Sequence, residues 1–188
     1  MSASTRKSKN AIGFLTIVES SEHGISGGYL ALNSTGHPIE FYCTAPVRPS
    51  RTQEILYGAT LKPYLYGEIL GQTLLSQTQT EPLFVCTNVV EVATARQFVP
   101  YPMVVLLSRN NVESPQSLRV DQPTPDQPVP APLGMVPVQL MNQSAAVLAD
   151  HPGDRQLMND HCTDLHENFD FHEPFERIRD AVEETQND

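Results

Sequence analysis

The chain has 188 residues, a formal net charge of −10, 39% hydrophobic residues and 16 prolines. This length allows one domain with appendages, and the low hydrophobic and high proline content predict that part of the chain does not fold. Residues 1–110 contain eight basic and seven acidic residues, whereas residues 111–188 contain four basic and fifteen acidic residues. The acidity therefore lies in the C-terminal part, which disfavours binding to nucleic acid or anionic membranes.

The three cysteines, Cys43, Cys86 and Cys162, are too few and too scattered for a disulfide framework or a zinc site of paired cysteines. We recognise no signal-peptide pattern and no apolar stretch long enough to span a membrane. We therefore expect a cytoplasmic protein with free thiols and no membrane partner. No phosphate-binding or dinucleotide-binding glycine motif is present either, so we expect no cofactor.

The first half of the chain alternates apolar runs with turn-forming residues. Residues 1–10 are polar, and we predict that they are disordered. Glycine-containing segments at Ser20–Gly28 and Asn33–Pro38 predict turns between the first three strands, which would form an antiparallel meander. The runs typical of strands are Ile12–Glu19, Tyr29–Asn33, Ile39–Thr44, Leu83–Thr87 and Met103–Leu107.

Helices are predicted between the later strands. Ser50 and Gln53 match a capping box, which predicts a helix start and a short helical turn at Thr52–Tyr57. A longer helix is predicted over Thr60–Thr78, where apolar residues recur with helical spacing, and a short one over Val90–Phe98.

The resulting order, β-β-β-α-β-α-β, predicts an α+β or α/β domain over residues 11–110, with a mixed sheet and crossover helices. This order resembles the ribonuclease H-like architecture over Ile12–Ser108. The resemblance implies carboxylates that hold two divalent metals, and Glu19 and Glu54 match two of the three positions. The fourth strand is followed by Asn88 instead of an acid, so a nuclease site would be incomplete, and we predict no metal site.

Two candidate sites lie near the predicted strand ends. Cys43 and Cys86 each end a strand, where ligands of such sheets tend to bind, and either thiol is a candidate nucleophile if its pKa is lowered. The alternative is that both pack as small apolar residues. Arg48 and Arg51 precede a helix and form a candidate site for an anion, an acidic partner or the chain's own acidic tail, with a solvated loop as the alternative.

Two further motifs are explained without chemistry. Gly24–Gly28 matches G-x-S-x-G, but a strand follows it where a nucleophile elbow needs a helix, so we interpret it as a flexible turn. Asp160–His172 contains acids, histidines and Cys162 without the paired spacing of a structural zinc site, so we interpret it as a polar, disordered stretch.

The C-terminal part is predicted to be a tail. Residues 111–168 are a linker, first proline-rich and then acidic, with a weak apolar patch at Val138–Ala149 that favours a short helix. Residues 169–186 are predicted to form an amphipathic helical motif. Its apolar stripe consists of Phe171, Phe175, Ile178 and Val182.

These features favour a non-enzymatic adaptor, in which the apolar stripe binds a groove on a protein partner and the linker sets its reach. An alternative is that the stripe packs on the domain's own sheet and completes its core. The competing class is an enzyme with Cys43 or Cys86 as its nucleophile, and a small-molecule-binding domain with a site at the strand ends is a third possibility.

Overall fold

A computed structural model describes residues 11–108, 130–162 and 169–187. The predictions for the N-terminal ten residues, for most of the proline-rich linker and for residues 163–168 lie outside these ranges. The described residues form one mixed sheet of seven strands with helices on both faces, which confirms the predicted α+β class.

The sheet combines antiparallel and parallel pairs. Its strands are β1 (Ile12–Ser20), β2 (Gly24–Leu32), β3 (Pro38–Cys43), β4 (Val85–Thr87), β5 (Met103–Leu106), β6 (Met135–Leu140) and β7 (Gln143–Leu148). They lie in the order β3-β2-β1-β4-β5-β7-β6. The first three are antiparallel, whereas β4 is parallel to β1 and β5 is parallel to β4. This is the β-β-β-α-β-α-β connectivity on which the resemblance to the ribonuclease H-like architecture rests.

Helices connect β3 to β4 and β4 to β5 as predicted, with differences in their geometry, and two further helices follow β7. They are α1 (Arg51–Tyr57), α2 (a π-helical part, Pro63–Gly71, continued by Gln72–Gln77), α3 (Val90–Gln97, a 3₁₀ helix), α4 (Gly153–Cys162) and α5 (Glu173–Asn187). A 3₁₀ turn, Gly58–Thr60, separates α1 from α2. The capping box is confirmed, because Ser50 Oγ accepts from the Gln53 amide at 3.2 Å and Gln53 Oε1 accepts from the Ser50 amide at 2.9 Å.

The predicted turn at Ser20–Gly28 is wrong in extent, because β2 begins at Gly24 and pairs with β1 along its whole length. Only residues 21–23 form the turn. Successive residues of a strand would place their side chains on opposite faces of the sheet. Because Gly27 and Gly28 have no side chain, a helix packs close to the strand on each face. A Cβ on Gly27 would lie 2.8 Å from Leu74 of α2, while Gly28 lies under α5 on the other face. These glycines therefore serve close packing in a strand.

Each face of the sheet carries its own core. On one face α2 and α3 cover β1, β2, β4 and the start of β5, and α2 crosses α3 closely at Gly67 and Gly71. On the other face α4 and α5 cover β1, β2, β4, β5 and the β6–β7 hairpin. Two closed faces leave the sheet margins and the helix surfaces as the places where other molecules can bind.

The short helix predicted over Val138–Ala149 is wrong, because this segment forms most of the β6–β7 hairpin. Val138 and Leu140 are buried while Gln139 between them is exposed, which is the period of two that a half-buried strand requires. Met141 adopts a φ of 53° in the two-residue turn. β6 also begins inside the predicted linker, and both strands extend the sheet beyond the domain boundary predicted at residue 110.

The segment predicted as an acidic linker contains α4, which a buried ion pair joins to α3. Arg96 Nε lies 2.8 Å from Asp154 Oδ2, and Arg96 Nη2 lies 3.0 Å from Asp154 Oδ1. Their side chains are 16% and 3% exposed. Met158, one turn further along α4, is fully buried. The structured part of the tail therefore belongs to the same folded unit as the first five strands.

Candidate functional site

The apolar stripe of α5 packs on the chain's own sheet, against β1 and β2. The ring of Phe14 on β1 lies 5.6 Å from that of Phe175 in an edge-to-face arrangement and 6.5 Å from that of Phe171. The four stripe residues, Phe171, Phe175, Ile178 and Val182, are at most 3% exposed. In the folded chain the stripe thus completes the core, as in the second alternative.

The approach of α5 to β2 depends on the missing side chain of Gly28. A Cβ at this position would overlap Ile178 Cγ2 and would lie 3.0 Å from Val182 Cγ2. Real side chains essentially never show an overlap like that with Ile178, so only glycine permits this packing. A partner could reach the stripe only after α5 had left the sheet.

The two candidate nucleophiles have different environments. Cys86 is fully buried in β4. Its burial raises the pKa of its thiol well above the usual value, and the neighbouring Cys162 contributes a smaller increase. Cys43 on β3 is exposed, and its Sγ lies 3.9 Å from the hydroxyl of Thr185. Burial also raises the pKa of Cys162 to about 11. Cys86 therefore matches the interpretation of cysteine as a small apolar residue.

We expect alkylation with iodoacetamide at neutral pH to rank the three thiols. Cys43 is exposed, so it should react fastest. Cys162 should react roughly a hundredfold more slowly, because its raised pKa leaves that much less thiolate. Cys86 should react only through unfolding of the surrounding core. Peptide mass spectrometry over time measures all three rates.

A Cys43→Ser variant is the control for this experiment, since it should remove the fast phase and leave the other two unchanged. Labelling of Cys86 at the rate of Cys43 would contradict its burial. A Cys43 rate well above that of free cysteine would support the enzyme alternative.

The acids considered for a nuclease site are engaged elsewhere. Glu19 accepts a 2.5 Å hydrogen bond from the Tyr66 hydroxyl, and burial together with this bond raises the pKa of Tyr66, so the phenol remains a donor. Glu54 lies on α1, whose residues are not buried. Beside the end of β4, Thr16 Oγ1 in the middle of β1 donates to Asn88 Oδ1 at 2.6 Å. Among the described residues, no group of three or more His, Cys, Asp or Glu side chains is placed to hold a metal ion.

The two arginines of the candidate anion site have separate roles. An Arg48 Nη2 proton is donated to the Glu22 carbonyl, which joins the start of α1 to the β1–β2 turn. Arg51 Nη1 lies 2.9 Å from Glu54 Oε2 on the surface of α1, with 83% of the Arg51 side chain exposed. A pair this exposed contributes little to stability. Arg48 is thus part of the fold, whereas Arg51 stays available to a ligand of opposite charge.

A surface that the sequence interpretation missed lies on α1, which was treated only as a short helical turn. None of its seven residues is buried. Ile55 is 67% exposed and Leu56 is 76% exposed, and we call these two residues the α1 surface. The helix is fixed at its end by the stacking of Tyr57 on Tyr64, with ring centroids 4.4 Å apart. Two adjacent large aliphatic residues in a capped helix were the signal available in the sequence.

No family model matches this chain, and comparisons with curated proteins and with solved structures found no significant match. The side chains described above are therefore the basis for any functional conclusion. No helix in the described ranges has the length and apolar character needed to cross a membrane.

Proposed function

We propose that this protein is a non-enzymatic cytoplasmic adaptor that binds a protein partner through the α1 surface. The observation that supports this proposal is the exposure of Ile55 and Leu56 on a helix that buries none of its own residues. Exposed apolar patches on folded proteins mark interaction sites, because their burial in a complex is favourable. The free cysteines of the described chain suit a reducing compartment.

α1 is prepared for binding before any partner arrives. An isolated helix of seven residues is unstable in water. Here both hydrogen bonds of the capping box stabilise the start of α1, and the stacking of Tyr57 on Tyr64 stabilises its end. A helix already formed in the free protein loses little conformational entropy on binding. The free protein therefore keeps α1 folded although no residue of α1 is buried in the core of the domain.

The chemistry of α1 indicates the kind of partner. A helix that exposes two adjacent aliphatic side chains, Ile55 and Leu56, can place them in an apolar groove on another protein. Arg51 is largely exposed one turn before Ile55, so a groove with an acidic rim would complement it. The partner we propose is thus a protein with an apolar groove bordered by carboxylates.

The C-terminal stripe is less suited to this role in the folded protein. To bind a partner, α5 would have to expose Phe171, Phe175, Ile178 and Val182, all of which are buried on β1 and β2. Uncovering even one such side chain costs about 1.5–3 kcal/mol. We therefore retain the proposed protein partner but assign it to α1, and α5 acts as part of the scaffold.

Replacing Ile55 and Leu56 with serine should abolish partner capture without changing stability. Each aliphatic side chain buried in an interface contributes about 1–2 kcal/mol, so the double variant should bind at least tenfold more weakly. The midpoint of thermal unfolding should stay the same, because neither side chain is buried in the free protein. Affinity capture from the source cell with mass spectrometry, followed by titration of the captured protein, measures both.

Leu157→Ser provides a matched control, because Leu157 is also a surface leucine, 44% exposed, but lies on α4. The control should capture the same partner as the unaltered chain. Equal capture by the Ile55/Leu56 double variant would overturn the assignment to α1, and a Cys43-dependent turnover of any substrate would overturn the non-enzymatic role.

A further inference from the structure

The margin of the sheet at β6 is covered on one side only. Val138 and Leu140 belong to the core that α4 and α5 complete, and both are at most 8% exposed. Pro137 and Gln139 alternate with them and therefore lie on the other side of the sheet, the side of α3. Both are exposed. As far as the described residues extend, the α3 side of β6 is thus open.

Four residues form this open surface, and three of them are apolar. Met135, Pro137 and Gln139 alternate along β6, and Leu148 of β7 is the cross-strand partner of Met135. Met135 and Leu148 are only half-buried, against a small cluster that includes Ala146 of β7. We call these four residues the hairpin surface. Covering it would remove apolar area from water, which is favourable.

The connection from β5 to β6 has to cross the sheet. β5 is antiparallel to β7 and β7 is antiparallel to β6, so β5 and β6 run in the same direction with β7 between them. β5 ends at Leu106, and β6 begins at Met135 at the opposite end of the sheet. Residues 107–134 therefore form a crossover, and they exceed the dozen or so residues that a crossover needs.

The hand of this crossover selects the α3 side. About 98% of connections between parallel strands of one sheet are right-handed. The connection from β4 to β5 passes through α3, which packs on the side of Val85 and Met103. The step from β5 to β6 continues in the same direction across the sheet. Two crossovers of the same hand that move in the same direction lie on the same face, so residues 107–134 should cross on the side of α3.

The described ends of the connection support the same side. Leu107 belongs to a buried cluster that also contains Ala93 of α3, and Ala131, just before β6, packs against this cluster. The chain therefore leaves β5 and approaches β6 on the α3 side. The opposite side is occupied, because α4 contacts both β6 and β7 there.

We propose that residues 109–129 cross the α3 side of the β6–β7 hairpin and bind the hairpin surface. The segment supplies apolar side chains, among them Leu118 and Val120. It also contains four prolines, at positions 115, 123, 125 and 128. Proline has no N–H, so an extended path over the surface leaves fewer backbone donors without a partner. The segment predicted as a linker thus adds a layer to the fold, and this inference is independent of the α1 surface.

The experiment is photo-crosslinking within the full chain. Gln139→p-benzoylphenylalanine places a photoreactive group on the hairpin surface. Val136→p-benzoylphenylalanine is the matched control, because Val136 is also exposed but pairs with Val147 and lies on the other side of β6. Trypsin and Asp-N together release residues 110–119 and 121–125 as separate peptides, so mass spectrometry identifies links to the segment. We expect the yield of these links to be at least tenfold higher from position 139 than from position 136.

Two further measurements complete the test. A mixture with isotope-labelled chain distinguishes links within one copy, which we expect, from links between copies. Replacing residues 110–128 with an equal number of glycines and serines keeps the connection closed but removes its apolar side chains and prolines. Amide hydrogen exchange in the β6–β7 hairpin should then be at least tenfold faster, whereas exchange in β3, at the other margin of the sheet, should not change.

Equal yields of links from positions 136 and 139 would overturn the proposal. So would links that form only between copies, or exchange in the hairpin that the glycine–serine replacement leaves unchanged.

Discussion

Replacing Gly28 with alanine should lower the free energy of unfolding by about 1–3 kcal/mol, the usual range for an overpacked core. The added methyl group would overlap Ile178 Cγ2 and crowd Val182 Cγ2. Both contacts involve methyl groups on the Cβ of branched residues that are at most 1% exposed, so neither side chain can swing aside. Either α5 lifts from β2 or the strand moves.

A compensating substitution makes this test specific for the docking of α5. Ile178→Ala alone should cost about 2–5 kcal/mol, because it leaves a cavity in the core. In the double variant the methyl group added at position 28 would enter that cavity, so the cost should be clearly smaller than the sum of the two single costs. Urea denaturation of the four chains in this cycle measures the coupling.

Gly153→Ala is the control for the added methyl group, because a Cβ there meets no atom within 4 Å. It should change the free energy of unfolding by less than about 0.5 kcal/mol, as surface substitutions usually do. Additive costs in the Gly28/Ile178 cycle would mean that α5 does not rest on β2 in solution. The C-terminal stripe would then be free for a partner, as the amphipathic pattern alone suggested.

Local signals in the sequence predict much of this fold. The strands β1, β3, β4 and β5 follow from runs of β-branched and aromatic residues, and the capping box at Ser50 places the start of α1. The amphipathic period places α5, which extends from Glu173 to Asn187. Each of these signals lies within a few residues, so a single sequence contains it in full.

The errors arise where distant residues determine local structure. In the sequence alone, Gly27 and Gly28 resemble a turn. Their actual role depends on α2 and α5, which are distant along the chain and pack against the two faces of β2. The β6–β7 hairpin is short and only weakly apolar, so its alternation is easily taken for a helix without the neighbouring β5. The environment of a candidate site is also non-local: exposure separates Cys43 from Cys86, although both end apolar runs.

Replacing Arg96 with methionine should destabilise the protein by about 3–5 kcal/mol, the range for removing one partner of a buried ion pair. The guanidinium group makes two bonds to Asp154 and a third, of 2.8 Å, to the Val99 carbonyl. The Asp154 side chain is 3% exposed, so its carboxylate would remain buried without a counter-charge. The start of α4 would then separate from α3, and the midpoint of thermal unfolding should fall by roughly 10 °C.

Two comparisons show whether burial of the charge causes this loss. Arg177→Met breaks an ion pair of similar length, 2.7 Å to Glu173, but both side chains are more than one-third exposed, so it should cost less than about 1 kcal/mol. Arg96→Met combined with Asp154→Leu removes the stranded carboxylate and should recover much of the stability. If Arg96→Met costs no more than Arg177→Met, water reaches Asp154 and the pair does not hold α4. Apolar contacts of α4, α5 and the β6–β7 hairpin would then be what joins these described parts of the tail to the domain.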